Sequence, residues 1–407
     1  MRTLFLLISF LVTASAAVYS QTANNWRGSE RQGIYNETGL LREWPAAGPE
    51  MKWAYEKLGK GFSSPVVADG NIFITGKEDE TGYVYKLSMD GNLVERFAYG
   101  PEFHGESYPG SRNTPAVVDG MIYIVSSMGR LVCMDAGSGS LIWQIDLFND
   151  LDGRNIRWGL TENLLVDGDR IYCTPGGRKH NIVALNRHNG EILWSSQGTG
   201  EVSAYCSPLL VNHYGQNILI THTKDHIVAL NADSGRVLWK YNHENRWDVH
   251  PNTPIYHEGS IFAFSGYGRG GVRLRLDSVG KLAGVEWSSR DLDNQMGGAV
   301  LIDGYLYGSG HNNRFWFCID WETGDRIYRT RDIDKGTVIY ADGRLYCYTE
   351  RGELALVNPS PQSFDIVGQT DITLGSGQHW AHLVIDGGVL YVRRGNALMA
   401  FNISDRQ

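Results

Sequence analysis

The sequence ALNRHNGEILW at residues 184–194 returns as ALNADSGRVLW at residues 229–239. Each copy reads as a short apolar strand, a polar turn closed by glycine, and a second strand that ends in Trp. Glycine gives the turn a positive φ at little steric cost, and Trp supplies a large apolar surface. Because the copies are spaced by about 45 residues, they indicate the four-stranded blades of a β-propeller.

The same unit recurs at residues 133–143 and 318–328, and in a stretched form at residues 275–287. Each unit is preceded by a turn of an acidic residue and glycine between two apolar strands, which is a strong hairpin signal. Residues 212–215 take the place of this turn in one unit, and the others are Asp69-Gly70, Asp119-Gly120, Asp167-Gly168, Glu258-Gly259, Asp303-Gly304, Asp342-Gly343 and Asp386-Gly387. These hairpins predict eight blades.

The last unit is one strand short, since only residues 382–385, 389–392 and 397–401 have strand patterns. An isolated strand around Trp53 near the start of the chain supplies the missing one, and such a closure leaves no bare sheet edge. We therefore predict an all-β, eight-bladed β-propeller of four-stranded antiparallel blades, closed by an N-terminal strand. Residues 51–407 form this single domain, and seven blades are the alternative if one weak unit is incomplete.

The first 20 residues have the pattern of a secretory signal peptide: an early Arg2, an apolar run and then small residues. Residues 21–50 are polar and contain Pro45 and Pro49, and we expect them to form a strap on the outside of the ring. No later apolar run is long enough to span a bilayer. We therefore expect an exported protein, periplasmic or secreted, without a membrane span.

The charge of the chain argues against two classes of partner, and its cysteine spacing argues against disulfide bonds. The formal net charge of −8 and the absence of a Lys/Arg run argue against binding nucleic acid or an anionic membrane. The five cysteines fall in five different repeats, which argues against a disulfide framework and predicts buried thiols. We expect a monomer.

The Ala-x-Asp/Asn…Gly…Trp repeats resemble the tryptophan-docking motif of PQQ-like (quinoprotein-type) β-propellers. Residues 26–28, 267–270 and 340–347 further resemble exported bacterial proteins labelled as PQQ-binding-like β-propeller repeat proteins. The resemblance covers nearly the whole mature chain and implies the fold. It leaves the activity open, because that family includes alcohol dehydrogenases and also non-catalytic scaffolds, such as the propeller lipoprotein of the outer-membrane-protein assembly machine.

A ligand site is expected on the face opposite the acid-Gly hairpins, here called the long-loop face. It carries the blade-to-blade connections and the loops between second and third strands, and function concentrates on loops placed by a rigid scaffold. Aromatic, His and Arg side chains around one axis suit a sugar or a planar anion. The candidate residues are His104, Tyr108, Arg112, Trp158, Glu162, Tyr205, Trp247, His250, Tyr267, Arg269, His311 and His382. The alternative is a polar channel lining that holds only water.

Two enzymatic hypotheses use the same face. The resemblance implies, for a PQQ-dependent dehydrogenase, adjacent cysteines over the quinone and a calcium site with carboxylates. No two cysteines are adjacent here, so PQQ with calcium is disfavoured, although Glu162 or Asp248 could ligate calcium. A lyase for uronic-acid polysaccharides would need a His or Tyr base and acid with an Arg, which His104, Tyr108, Arg112, Tyr205 and His250 supply by type.

The favoured hypothesis is an exported, non-catalytic binding or assembly module. Its partner would be an envelope protein or a glycan held on the long-loop face. No cofactor or metal is part of this hypothesis, and the dehydrogenase and the lyase are its alternatives.

Overall fold

The computed structural model describes residues 26–406, all of them in strands, turns and loops. The predicted signal peptide at residues 1–20 lies outside the described residues. Two strands precede the first blade: β1 (Ile34–Tyr35) and β2 (Glu50–Tyr55). Within residues 26–406, no helix is long and apolar enough to cross a membrane.

Eight antiparallel blades follow one another along the described chain. Blade 1 comprises β3 (Val66–Ala68), β4 (Asn71–Glu78), β5 (Thr81–Ser88) and β6 (Leu93–Pro101). Blade 2 comprises β7 (Ala116–Val118), β8 (Met121–Val125), β9 (Arg130–Asp135) and β10 (Leu141–Asp146). Blade 3 comprises β11 (Leu165–Asp167), β12 (Arg170–Cys173), β13 (Ile182–Asn186) and β14 (Ile192–Ser196), and blade 4 comprises β15 (Leu209–His213), β16 (Gln216–His222), β17 (His226–Asn231) and β18 (Val237–Asn242). Blade 5 comprises β19 (Ile255–His257), β20 (Ser260–Ser265), β21 (Gly270–Leu276) and β22 (Leu282–Ser289). Blade 6 comprises β23 (Ala299–Ile302), β24 (Tyr305–Ser309), β25 (Trp316–Asp320) and β26 (Arg326–Thr330), and blade 7 comprises β27 (Gly336–Ala341), β28 (Arg344–Thr349), β29 (Glu353–Pro359) and β30 (Phe364–Asp371). Blade 8 comprises β31 (Val384–Asp386), β32 (Val389–Arg394) and β33 (Ala397–Asn402) together with β2.

The ring closes through the N-terminal strand, as predicted. Strand β2 pairs antiparallel with β33, with Trp53 opposite Ala400 and Tyr55 opposite Leu398. The eighth blade thus has its fourth strand, and β33 is paired on both of its edges. The eight-bladed prediction is confirmed, and the seven-bladed alternative is wrong.

In five of the eight blades, a Trp on the outermost strand joins the blade to the next one. Trp194 lies on the outermost strand of blade 3, and its indole N–H donates to the Ala232 carbonyl of blade 4 at 2.8 Å. Trp143 makes the same bond from blade 2 to the Arg187 carbonyl of blade 3, also at 2.8 Å. Trp53 repeats it across the closure, to the Met89 carbonyl of blade 1 at 2.9 Å. The motif is therefore a connector between blades as well as part of a blade.

Apolar side chains pack between neighbouring blades. One cluster joins blades 2 and 3 through Tyr123 and Ile171, for example, and another joins blades 4 and 5 through Ile220 and Val272. All five cysteines are buried and free, which confirms the prediction made from their spacing. Stability is thus distributed around the ring, with each blade depending on its two neighbours.

The strap does not lie wholly on the outside of the ring, contrary to expectation. Arg31 is only 2% exposed and donates to the carbonyls of Asn163 at 2.6 Å and Leu164 at 3.0 Å, beside the inner strand of blade 3. Strand β1 then pairs in parallel with β27, the inner strand of blade 7. Since these blades lie on opposite sides of the ring, the segment from Trp26 to Tyr35 runs through the central channel.

The physical reason lies in the innermost strand of each blade. This strand pairs with the rest of its blade along one edge, so its other edge presents backbone carbonyl groups to the channel. Buried carbonyl groups need donors, and Arg27 supplies them to Ala299 at 3.0 Å and Val338 at 3.2 Å. The strap leaves the channel at the hairpin face, where the Glu37 carboxylate accepts the Gly387 N–H at 3.0 Å. Only its later part, including Trp44 against Tyr346, covers the outside of blade 7.

Candidate functional site

A cavity of about 200 Å³ opens on the axis of the ring at the long-loop face. It is called the axial cavity below, and its floor is the start of the strap. It is lined by the residues Trp26, Phe62, Tyr108, Arg112, Trp158, Thr161, Asn163, Tyr205, Ser207, Val249, Pro251, Tyr267, Gln295, Met296, Trp380 and His382. The lining contains no carboxylate.

The inner strands place these side chains at one repeated offset. The residue four positions before the first strand of the blade lines the cavity in blades 1 to 6 and in blade 8, namely Phe62, Arg112, Thr161, Tyr205, Pro251, Gln295 and Trp380. Equivalent positions of a closed ring point at the same axis. Seven of the eight blades therefore each place one side chain from this position in the cavity, and the identities of those side chains decide its chemistry.

Aromatic rings dominate the upper wall of the cavity. Tyr108 and Phe62 pack against Trp380, with ring centroids 4.7 Å and 5.2 Å apart. Trp158 packs against Tyr205 at 6.2 Å. Trp247 extends the wall outward, at 6.4 Å from Trp158 and 6.3 Å from Tyr267. We call these seven residues the aromatic collar: Phe62, Tyr108, Trp158, Tyr205, Trp247, Tyr267 and Trp380.

Three tyrosines of the collar have left-handed backbone conformations. The φ angles are 57° at Tyr108, 67° at Tyr205 and 62° at Tyr267. Such a conformation costs a non-glycine residue about 1–2 kcal/mol, and residues of this kind cluster at functional sites. Three separate loops therefore accept strain at the residue that each aims into the cavity.

Hydrogen bonds hold two of these tyrosines in place. The Tyr205 hydroxyl accepts the backbone N–H of Trp158 at 3.1 Å, and the Tyr267 hydroxyl accepts from the Gln295 amide at 2.6 Å. Burial raises the pKa of Tyr205 to about 12, and it also raises the pKa of Tyr267. Both phenols are therefore neutral at physiological pH.

The floor of the cavity consists of Trp26 and His382, whose rings meet edge to face at 5.0 Å. The His382 Nδ1 atom accepts from the Arg27 guanidinium at 2.9 Å, so its Nε2–H donates to the Met296 carbonyl at 2.8 Å. Burial lowers the pKa of His382 well below its ordinary value. With both ring nitrogens engaged, His382 is a neutral structural group.

Arginines surround the mouth of the cavity. Arg112 lies over the Phe103 ring at 5.1 Å and donates to the Tyr108 carbonyl at 2.7 Å. Arg157 lies over both Trp158 and Trp247, at 4.9 Å and 5.1 Å from the ring centroids. Arg246 lies over Trp247 at 4.9 Å. The collar therefore carries positive charge on its outer side.

Six of the twelve residues named from the sequence line the cavity: Tyr108, Arg112, Trp158, Tyr205, Tyr267 and His382. Trp247 and His311 touch that lining, and the His311 ring is 5.0 Å from Tyr267. Arg269 instead reaches the Asn242 carbonyl at 3.4 Å. His104 is exposed and does not line the cavity.

Glu162 and His250 are fully buried and do not line the cavity, although their sequence neighbours do. The Glu162 carboxylate accepts the backbone N–H and the hydroxyl of Thr174 at 2.8 Å and 3.0 Å, and burial raises its pKa to about 7. His250 donates from Nε2 to the Lys224 carbonyl at 3.0 Å. Its ring stacks on His222 at 5.0 Å. Both side chains fasten loops to blades.

Sequence reasoning missed Phe62 and Gln295, and it did not place Trp26 at the floor. The first two could have been found by aligning the openings of the eight units, because they stand four positions before an inner strand. No sequence signal placed Trp26, since its position depends on the strap entering the channel.

The donor set does not fit PQQ held by calcium, the cofactor that the sequence resemblance implies for a dehydrogenase. The cysteines are buried thiols in separate blades, the cavity lining has no carboxylate, and the oxygens of Glu162 are bonded to Thr174. Among residues 26–406, no group of three or more His, Cys, Asp or Glu side chains could hold a metal ion.

The chain is similar to several known propellers. The outer membrane protein assembly factor BamB of Yersinia pestis is 27% identical over 175 residues, which cover 40% of this chain and only 39% of that protein. Among solved structures, BamB from Moraxella catarrhalis has a TM-score of 0.61 at 14% identity and covers 85% of this chain and 95% of that one.

A quinohemoprotein alcohol dehydrogenase, ADHIIG from Pseudomonas putida HK5, has a TM-score of 0.67 at 12% identity and covers 94% of this chain and 81% of that one. At such identities, the two solved structures show the fold alone. The resemblance to PQQ-like propellers is nonetheless confirmed. Residues 80–330, more than half of the 407 residues, match the family model of the outer membrane protein assembly factor BamB, and the chain therefore belongs to this family.

Proposed function

We propose that this protein is a non-catalytic binding module of the bacterial envelope, working in the periplasm, whose ligand enters the axial cavity from the long-loop face. The observation that carries this proposal is the convergence of Tyr108, Tyr205 and Tyr267, each in a left-handed conformation, on one cavity. A ring that needed only to be stable would not gain from strain at these three positions.

The chemistry of the lining supports binding rather than catalysis. A general base must reach its substrate in an unprotonated state near physiological pH. The phenols of Tyr205 and Tyr267 are neutral because burial raises their pKa values, and both nitrogens of His382 are engaged. Glu162 has its pKa near neutrality, but it is fully buried and bonded to Thr174.

The family supports a place in the envelope. The name of the Yersinia pestis relative describes an outer membrane protein assembly factor, and the N-terminal sequence has the pattern of a signal peptide. The ligand is accordingly an envelope protein or a glycan that reaches the periplasm.

A site-specific photocrosslinking experiment tests this proposal. A photoreactive amino acid is placed at Thr161 in the cavity, or at the 79% exposed Tyr214 on the hairpin face as the control. We expect adducts with envelope components only from position 161, and we expect Trp158→Ala to abolish them. Equal crosslinking from both faces would refute the assignment of the face.

Activity assays test the non-catalytic part. Reduction of an artificial electron acceptor that depends on added PQQ and calcium would establish a dehydrogenase instead. Ultraviolet-absorbing unsaturated products from uronic-acid polymers would establish a lyase. We expect neither from the purified chain.

A further inference from the structure

Positive charge collects at the mouth of the axial cavity without a direct ion pair, and the carboxyl group that acts on Arg112 from a distance is the buried Glu102. Arg112, Arg157 and Arg246 form no ion pair with any residue of the described range 26–406, although sixteen such pairs occur there. The nearby carboxylate of Asp248 is 3.9 Å from Lys224. On a chain with a net charge of −8, this cluster makes the cavity a local attractor for anions.

Several residues that line the cavity carry hydrogen-bond donors without a partner. The indole N–H groups of Trp26, Trp158 and Trp380 have no partner among residues 26–406, and none of them is buried away from solvent. The acceptor oxygen of Asn163 is already used by the Thr114 N–H at 2.6 Å. A ligand rich in acceptor oxygens would match these groups.

The rings of the collar form a funnel rather than a slot. Neighbouring planes are inclined by 42° for Phe62 and Trp380, by 48° for Trp158 and Tyr205, and by 57° for Trp247 and Tyr267. A flat polycyclic ligand needs parallel faces for stacking. Inclined faces instead suit a puckered ring, which presents C–H groups in several directions.

The volume limits the ligand to a small unit. At about 200 Å³, the cavity is below the range of about 300–1,000 Å³ that is typical for drug-sized ligands. It therefore accommodates one ring, while the open mouth lets a longer chain continue outward past Arg157 and Trp247.

We infer that the axial cavity binds a carboxylate-bearing sugar ring, the terminal uronic acid of an acidic glycan. This inference rests on the proposed function, because it names the ligand class of the same site. The aromatic collar contacts the faces of the sugar ring. The guanidinium groups bind the carboxylate, and the indole N–H groups donate to the hydroxyl oxygens.

The test is a titration of the full chain, followed by tryptophan fluorescence and calorimetry, with trigalacturonate and with a neutral trigalactoside of the same length. We expect trigalacturonate to bind at least about tenfold more tightly, since a charge-assisted hydrogen bond contributes about that factor. Arg157→Gln should remove this preference, and Trp158→Ala should abolish binding of both sugars. Arg236→Gln, an exposed change on the hairpin face, is the matched control and should have no effect.

Arg157 and Arg246 are both exposed, so the double variant Arg157→Gln/Arg246→Gln should keep the fold. It tests the contribution of positive charge to trigalacturonate binding if Arg157→Gln alone has too small an effect. Equal affinity for the acidic and neutral sugars, or tighter binding of naphthoate than of trigalacturonate, would overturn the inference. Cavity-dependent crosslinks to envelope material would then still support the binding module. Cleavage of trigalacturonate would instead uphold the ligand class and overturn the non-catalytic function.

Discussion

Neighbouring blades interlock at Gly235, and we therefore predict that adding one methyl group there lowers the free energy of unfolding by a specific amount. This glycine closes the turn between the third and fourth strands of blade 4, with φ at +69°. A Cβ atom there would lie 2.4 Å from Cε3 of Trp194, the docking residue of blade 3. Gly235→Ala therefore combines backbone strain with displacement of an indole that donates to Ala232.

The magnitude follows from those two terms. A left-handed conformation costs alanine about 1–2 kcal/mol, and overpacking of a filled site costs about 1–3 kcal/mol. We expect Gly235→Ala to lower the free energy of unfolding by about 2–5 kcal/mol. Equilibrium unfolding in urea, followed by both fluorescence and circular dichroism, measures this change and checks that the transition is two-state.

Gly215 in the same blade is the control. Its φ is +84°, and no atom lies within 4 Å of a Cβ placed there. Gly215→Ala should therefore cost only the strain of about 1–2 kcal/mol. Equal losses at Gly215 and Gly235 would refute blade interlocking through the indole. So would the absence of coupling between Gly235→Ala and Trp194→Ala in a double-mutant cycle.

Three further predictions concern acid, the strap and the thiols. Burial lowers the pKa of His250 to about 4 and that of His243 to about 2, so the unfolded chain binds protons below pH 6.5 that the folded chain does not. Stability should fall by about 1.4 kcal/mol per pH unit for each such histidine as the pH drops from 6.5 towards 4, and His243→Leu should flatten the urea-measured slope. Arg31→Met removes two donors from buried carbonyls and should lower the free energy of unfolding by about 2–4 kcal/mol, whereas exposed Arg178→Met should leave it unchanged. The five buried cysteines should resist a thiol reagent in the native protein and react together only in urea; rapid labelling of one of them without urea would contradict their burial.

The architecture was predictable because its signals are local and repeated. An acid-Gly turn between two apolar strands specifies a hairpin wherever it occurs, and Asp69 and Asp119 indeed have left-handed backbones. The count of such turns gave the number of blades. The incomplete last unit and the isolated strand at Trp53 then left one way to close the ring.

The strap was misplaced because its burial is a property of the assembled ring. A polar segment with two prolines reads as a surface segment, and nothing local distinguishes Arg27 and Arg31 from exposed arginines. Only a closed ring presents carbonyl groups along its channel, and only then do these two side chains become donors inside it.

For a similar reason, the sequence predicted which face of the ring carries the cavity but only some of the residues that line it. Side-chain type suggested Glu162 and His250, but the fold turns one toward Thr174 and the other toward Lys224. Residue type alone could not separate them from Arg112 and Tyr205, which stand four positions before an inner strand. Position within the repeat is the better guide, because a ring with eightfold pseudo-symmetry sends equivalent positions to one axis.

The depth of the axial cavity, by contrast, is determined by the N-terminal strap, which is not part of the repeats. Eight blades enclose an open axis, and the strap fills that axis from the hairpin face up to Trp26. Arg27 fixes this end point, since it binds the carbonyl of Ala299 and the ring nitrogen of His382 together. The blades thus determine which side chains surround a ligand, whereas the N-terminal segment determines how far a ligand can enter.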